Sequence, residues 1–171
     1  VVGHKLNYVM EYSDLLNTLA QISLGTLGFT GVVVALKHSA DDWDNYEKIR
    51  FQALVTTTLT ALVGSLLPQI ISIATEDNSQ IWRLANLGIG LMHLANFGSI
   101  IYTAVKHKIK PEYRGFKDIL DTIIGPALII LHFVAALGYI PWLKLLLVIG
   151  ILQQLYIGIS NFLVFTSWKK S

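Results

Sequence analysis

The sequence predicts an all-α integral membrane protein, a bundle of about five transmembrane helices with the N-terminus outside and the C-terminus in the cytoplasm. Three observations predict it. The 24 charged side chains are missing from five stretches, 15–36, 51–75, 84–105, 122–143 and 145–168, each 22 to 25 residues long. A helix needs roughly 20 apolar residues to cross the hydrocarbon core. Hydrophobic residues make up 53% of the 171 and mean hydropathy is +0.56, more apolar surface than a soluble domain of this length needs for its core. The third observation is the distribution of basic residues. With spans at about 15–36, 51–75, 84–105, 119–138 and 142–166, ten of them (Lys37, Lys48, Arg50, Lys106, Lys108, Lys110, Arg114, Lys117, Lys169 and Lys170) share one side, against Lys5, Arg83 and Lys144 on the other. Short cytoplasmic loops carry the Lys and Arg excess, which places the 106–117 loop and the C-terminus inside. A four-span arrangement loses this asymmetry. The loops are short, so 1–171 reads as one transmembrane domain.

The first segment, 1–14, holds His4, Lys5, Glu11 and Asp14 and has no apolar core run, so it is not expected to be a cleavable signal. Its apolar Val1, Val2, Leu6, Val9 and Met10 suit a short amphipathic helix on the outer surface. The missing initiator Met predicts a few residues ahead of Val1. Helix 1 is polar for a span. Asn17, Thr18, Gln21, Ser23, Thr26 and Thr30 accompany Gly25, Gly28 and Gly31, and at about 100° per residue Asp14, Asn17, Gln21, Gly25 and Gly28 form one stripe. That stripe should avoid lipid, either as a close helix contact in which the glycines allow backbone approach or as the wall of a hydrated path.

Helix 2 is expected to start near Asp41, because Ser39 before Ala40-Asp41-Asp42 resembles a capping box with Asp in place of Glu, and to enter the membrane at Phe51. Thr56, Thr57, Thr58, Thr60, Ser65 and Ser72 can return their hydroxyls to their own helix. Gln69, beside a kink at Pro68, is expected to bond carbonyls that the proline frees. Helices 3 and 4 carry His93 and His132. Counted from the outer ends at about 1.5 Å per residue, both fall in the outer half of the bilayer at similar depth. Three readings follow: a histidine satisfied by Asn96, Asn86 or a helix-5 amide, a proton relay, or two axial ligands of a haem b. Asp118 and Asp121 suit the dipole at the start of helix 4. Asp121, Gly125 and His132 also share a face within about 40°, an arrangement that suits an ion or proton path if the face points inward. Pro126 predicts a kink in helix 4, and Pro141 suits the first turn of helix 5. In helix 5, Gln153, Gln154 and Asn161 must meet other helices, another subunit or water, while 144–149 is expected to face lipid with Lys144 reaching outward. Trp43, Tyr46, Trp82, Tyr102, Tyr113, Tyr139, Trp142 and Trp168 fall at the predicted boundaries, as interfacial aromatic belts do.

Several function classes are excluded or disfavoured. The net charge of +2 tracks helix ends and forms no groove-sized patch, so no nucleic-acid partner is expected. With no cysteine, disulfides, thiolate metal sites and thiol catalysis are excluded. The helix-1 glycines lie mid-span without a preceding strand or a following Lys-Ser/Thr, unlike a phosphate loop. Asp41, Asp42, Asp44 and Glu47 are too close and too helical for an EF-hand. No Ser-His-Asp arrangement is evident, no internal repeat marks a transporter of inverted halves, and no enzymatic activity, metal or cofactor is expected beyond the haem alternative at His93 and His132.

The stretch LAQISLGTLGFTGVVVAL at 19–36, with Trp43, Asp44 and Arg50 before a Leu-rich span ending SLLPQ, Trp82-Arg83-Leu84 opening helix 3 and paired glutamines in the last span, resembles a loosely defined family of small, uncharacterised bacterial multi-pass membrane proteins; helix 4 departs from the pattern. That resemblance implies a bacterial inner-membrane location and assigns no activity. The functions left are a homo-oligomeric channel lined by the polar faces of helix 1, helix 5 or both, a non-conducting accessory subunit of a larger membrane complex, and haem-based electron transfer through His93 and His132. The partners expected are the lipid bilayer and either further copies of the chain or a membrane-complex partner.

Overall fold

The computed structural model describes residues 7–36, 43–108 and 116–167, with side chains for 12–35, 43–108 and 121–166. It is an all-α bundle of five helices, α1 (Asn7–Leu36), α2 (Asn45–Ser72), α3 (Asn78–Lys106), α4 (Phe116–Ala136) and α5 (Leu143–Ser167), with no strand among the described residues. Four of them contain stretches long and apolar enough to cross a membrane, Tyr12–Ala35, Asn45–Ser72, Asn78–Lys106 and Leu143–Thr166. The apolar part of α4 described here, Asp121–Ala136, is shorter. Exposed Leu24, Phe29, Ile123, Ile130 and Leu163 on the outer surface are what a membrane protein presents to acyl chains and a soluble one hides. Expectations for 1–6, Ser39 to Asp42, Tyr113, Trp168, the side chain of Asp118 and most of the 106–117 loop lie outside the described residues.

Helices α2 and α5 form the central pair, with α1 on one flank and α3, then α4, on the other. The central pair is close because glycines face side chains of the other helices. A Cβ on Gly158 would strike the hydroxyl of Thr58, and one on Gly64 would stand 3.0 Å from Ile89 and 3.3 Å from Ile151. One dry core, built from Leu16, Leu19, Ala61, Trp82, Ala85, Ile89, Leu147, Val148, Ile151 and Leu155, fills the half of the bundle toward Asn78. Leu128, Ala135 and Leu146 fasten α4 to α5.

Helix ends differ from the sequence expectation in two places. Asp44 is the N-cap of α2, accepting from the Glu47 amide at 2.8 Å while the Glu47 carboxylate accepts from the Asp44 amide at 3.1 Å. The helix therefore begins at Asn45 and not near Asp41; Asp-x-x-Glu is the stronger box because both partners reach back. Pro141 precedes Trp142, whose carbonyl accepts the first α5 bond from Leu146, so it lies ahead of the helix and not in its first turn. Helix α4 closes with Gly138 at φ 89, a left-handed position glycine takes without strain, and Arg83 donates from Nε to the Ala136 carbonyl at 2.8 Å.

Two packing expectations are also corrected. Within 144–149, Leu146, Leu147 and Val148 are buried and only Leu145 and Ile149 face outward. Successive residues on a helix turn through about 100°, so a run of six cannot all face lipid. Lys144 does not simply snorkel; its ammonium lies over the rings of Tyr12 and Trp82 at 4.8 and 5.5 Å. The Gln69 amide bypasses the carbonyls near Pro68 and donates across to Asn17 Oδ1 at 2.9 Å, and α2 and α4 each continue as helix through their prolines.

Candidate functional site

Between α2, α3, α4 and α5, at the end that bears Lys48 and Lys106, lies a cavity of about 190 Å³. Its walls differ in chemistry. Ile49, Ala53, Phe97, Ile100, Ile101, Ala104, Ile129 and Ile157 supply apolar surface, while Tyr46, Arg50, Thr57, His93, Asn96, Asp121, Gln153, Gln154 and Asn161 supply polar groups. Gly125 lies beside the ring of Phe97 on the α3–α4 side, at a distance where a Cβ would be in ordinary contact, 3.5 Å from that ring.

At the mouth, Arg50 donates to Asn161 Oδ1 at 2.9 Å and to the Tyr46 hydroxyl at 2.7 Å, with its guanidinium 4.7 Å from the Tyr46 ring centre. Tyr46 and Arg50 are four apart and therefore stack on one helix face. Asn161 is only 2% exposed, and its amide donates to its own helix at the Ile157 carbonyl, which leaves Oδ1 turned toward the arginine. One step deeper, Gln154 donates to Gln153 Oε1 at 2.9 Å. Asn96 donates toward the Thr56 carbonyl at 3.2 Å, Thr60 Oγ1 at 2.7 Å and, more weakly, Gln154 Oε1 at 3.4 Å. Three helices, α2, α3 and α5, contribute to this buried amide network, in which Gln153 Nε2 is left without a partner; such networks are stable to the extent that their members satisfy one another.

Behind the amides stand the two histidines. His93 lines the cavity, is 3% exposed, and neither ring nitrogen meets a hydrogen-bond partner. Its ring centre is 5.3 Å from that of His132, with the planes tilted by 58°. His132 is wholly buried. Its Nδ1 lies 2.9 Å from Asn86 Oδ1, and its Nε2 has no partner. Gly90 and Gly150 form the slot that holds this ring: a Cβ on Gly90 would sit 3.0 Å from the His132 Cβ, and one on Gly150 would overlap Nε2. Asn86 closes the series, donating to the carbonyls of Trp82 at 2.8 Å and Leu143 at 2.9 Å. Beyond it the dry core takes over.

Of the residues singled out in the sequence, His93, Asn96, Asp121, Gln153, Gln154 and Asn161 meet at the cavity, and His132 lies directly behind. The shared inward face of Asp121, Gly125 and His132 is thus present. Helix 1 contributes none of it. Asn17, Gln21, Gly25, Gly28 and Gly31 are exposed on the outer face of α1, and a Cβ on any of the three glycines would meet nothing within 4 Å, so within one chain they are not close-packing positions. The inward face of α1 is Leu16, Leu19, Ser23 and Thr30. The sequence placed Tyr46 in an interfacial belt and Arg50 among the cytoplasmic basic residues, and gave no site role to either or to Gly90 and Gly150. The Tyr46–Arg50 spacing was the available signal for the first two.

The two imidazoles do not fit a haem between them. Axial ligation needs both rings to aim a nitrogen at one iron from opposite faces of a flat macrocycle. Here the tilted rings stand side by side, one His132 nitrogen is committed to Asn86, and the other abuts Gly150. No family model, curated protein or solved structure matches the chain.

Proposed function

We propose that the protein is a small transport protein of the membrane whose proton-handling site lies within each protomer, between α2, α3, α4 and α5, in a cavity that opens to the cytoplasm and ends on His93 and His132. The supporting observation is the set of polar side chains running from Arg50 and Asn161 at the mouth, past Gln154 and Asn96, to two buried imidazoles with unpartnered nitrogens; hydrogen bonds join Arg50 to Asn161 and Asn96 to Gln154 and stop short of His93. A buried polar group without a partner is costly, and an ionisable side chain inside a membrane bundle is a starting point for an ion or proton pathway. Imidazole both takes and gives a proton, which the surrounding amides do not do. The cytoplasmic assignment of the mouth follows the basic residues at that end, and the bacterial inner membrane is the setting that the sequence resemblance implies.

A second reading has its own observation. The outward polar stripe of α1, with Gln21 exposed and open space at Gly25, Gly28 and Gly31, favours cover by another copy of the chain or by a partner subunit. In that reading the helix-1 stripe lines a shared path, or the chain is a non-conducting accessory subunit.

Liposomes carrying the purified protein, a trapped pH-sensitive dye and a potassium-clamped potential separate these readings. Acidification should exceed that of protein-free vesicles and fall about a hundredfold in His132→Gln, the order by which one proton-transferring group matters. It should also fall in Gln154→Leu and stay unchanged in Gln21→Leu. Flux equal to protein-free vesicles, or flux that responds to Gln21→Leu and not to Gln154→Leu, would overturn the intraprotomer path.

A further inference from the structure

We infer that Asn86 is a positioning residue that fixes His132 in one tautomer, with its ring proton on Nδ1 and Nε2 left as the basic atom of the histidine pair. The amide orientation is settled by its neighbours. Asn86 Nδ2 lies 2.8 Å from the Trp82 carbonyl and 2.9 Å from the Leu143 carbonyl, and carbonyl oxygens only accept. Both amide hydrogens are therefore engaged, and Oδ1 is the atom that faces His132 Nδ1 at 2.9 Å. An amide oxygen only accepts as well, so the hydrogen in that bond belongs to Nδ1. A ring with a single proton then has none on Nε2. The Asn86 bond also fixes the ring orientation, because turning the ring over would bring a carbon opposite Oδ1 and forfeit the bond.

Nε2 is buried and unpartnered, on a ring 5.3 Å from His93. A proton arriving from the cavity reaches His93 first. Transfer breaks an N–H bond of His93 and forms one at His132 Nε2; the two rings share no hydrogen bond at rest, so the step needs a turn of the His93 ring or a bridging water, and His132 then carries two ring protons until it passes one on. Were the tautomer reversed, Nε2 would carry a hydrogen and no lone pair, and the step would be blocked. The tautomer depends only on these hydrogen bonds, whereas its use in transfer rests on the proposed function.

The test is solid-state NMR of full-length protein in bilayers, labelled with ¹⁵N-histidine and held in alkaline buffer, with His132 assigned from its absence in His132→Gln. The expected spectrum shows a protonated, pyrrole-type Nδ1 and a bare, pyridine-type Nε2 for His132. Asn86→Leu, which removes the acceptor, should mix or reverse the two signals and lower proton flux at least tenfold; Asn86→Asp, which puts an acceptor back, should restore both. A wild-type His132 protonated at Nε2 overturns the inference, as does an Nδ1 tautomer unmoved by Asn86→Leu. Should Asn86→Leu fail to fold, the wild-type spectrum alone still decides the tautomer. An Nδ1 tautomer in a protein without flux supports the role of Asn86 and removes the transport reading.

Discussion

An imidazole inside a helix bundle needs room before it needs a partner, and for His132 two glycines on different helices supply it. Gly150→Ala would set a methyl against Nε2 and within 3.4 Å of Ile89. Overpacking of this kind costs about 1–3 kcal/mol, so the variant should unfold at clearly lower temperature in detergent. Gly28→Ala on α1 meets nothing within 4 Å, and the better helix former should leave stability unchanged or raise it by up to about 1 kcal/mol. Equal losses at the two positions would mean that α1 is closely packed at Gly28, by this chain or by a second copy. The contrast also explains what the sequence hid. Gly25, Gly28 and Gly31 make a regular stripe and attract attention; Gly90 and Gly150 have no pattern between them, because they meet only through tertiary packing. In a membrane helix both the lipid side and the core side are apolar, so hydrophobic periodicity does not say which face turns inward. The histidines and amides were legible because hydrocarbon offers them no hydrogen bond, which makes their burial an expectation of chemistry and not of pattern.

At the scale of the helix, α2 begins where it carries both its cap and the cavity mouth. Asp44 and Glu47 satisfy each other's backbone amides, and Tyr46 and Arg50 stand in the first two turns they secure. Loss of an N-cap side chain costs about 1 kcal/mol. Asp44→Ala should therefore fray α2 locally, with amide hydrogen exchange at 45–48 becoming several-fold faster while exchange at 57–65 is unchanged. Uniform acceleration along α2 would show that the cap stabilises the whole bundle and not its first turn. The existence, order and approximate extent of the five helices were readable from uncharged runs, since the cost of a charge in hydrocarbon punctuates the sequence. Their true starts were not. α1 begins at Asn7 and α3 at Asn78, each ahead of the uncharged run at 15–36 or 84–105, because a helix continues past the apolar core for as long as its backbone bonds and caps allow. The cap of α3 is Asp77, which accepts from Ser79 and Gln80.

For the whole molecule, the unequal treatment of its two polar sets is the governing fact. One set, on α2 to α5, is turned inward, its amides largely hydrogen-bonded and its imidazoles partly unpartnered; the other, on α1, is turned outward. The pair Asn17–Gln69 satisfies one donor at 2.9 Å, but Gln21 lies exposed a turn further along α1, and an amide facing acyl chains is disfavoured. Assembly through α1 would cover it, and the open space beside Gly25, Gly28 and Gly31 would let a second backbone approach closely. The chain has no cysteine, so a single introduced thiol reports cleanly. Gly28→Cys should form disulfide-linked dimers when oxidised in native membranes at low expression, whereas Ile123→Cys on the exposed side of α4 should not. Because the proposed path lies within each protomer, flux per protomer should be the same before and after that cross-link. Cross-linking at Ile123→Cys but not at Gly28→Cys would place the assembly face on α4. A cross-link at Gly28→Cys that abolishes flux would move the path from the interior of the protomer to the seam between copies.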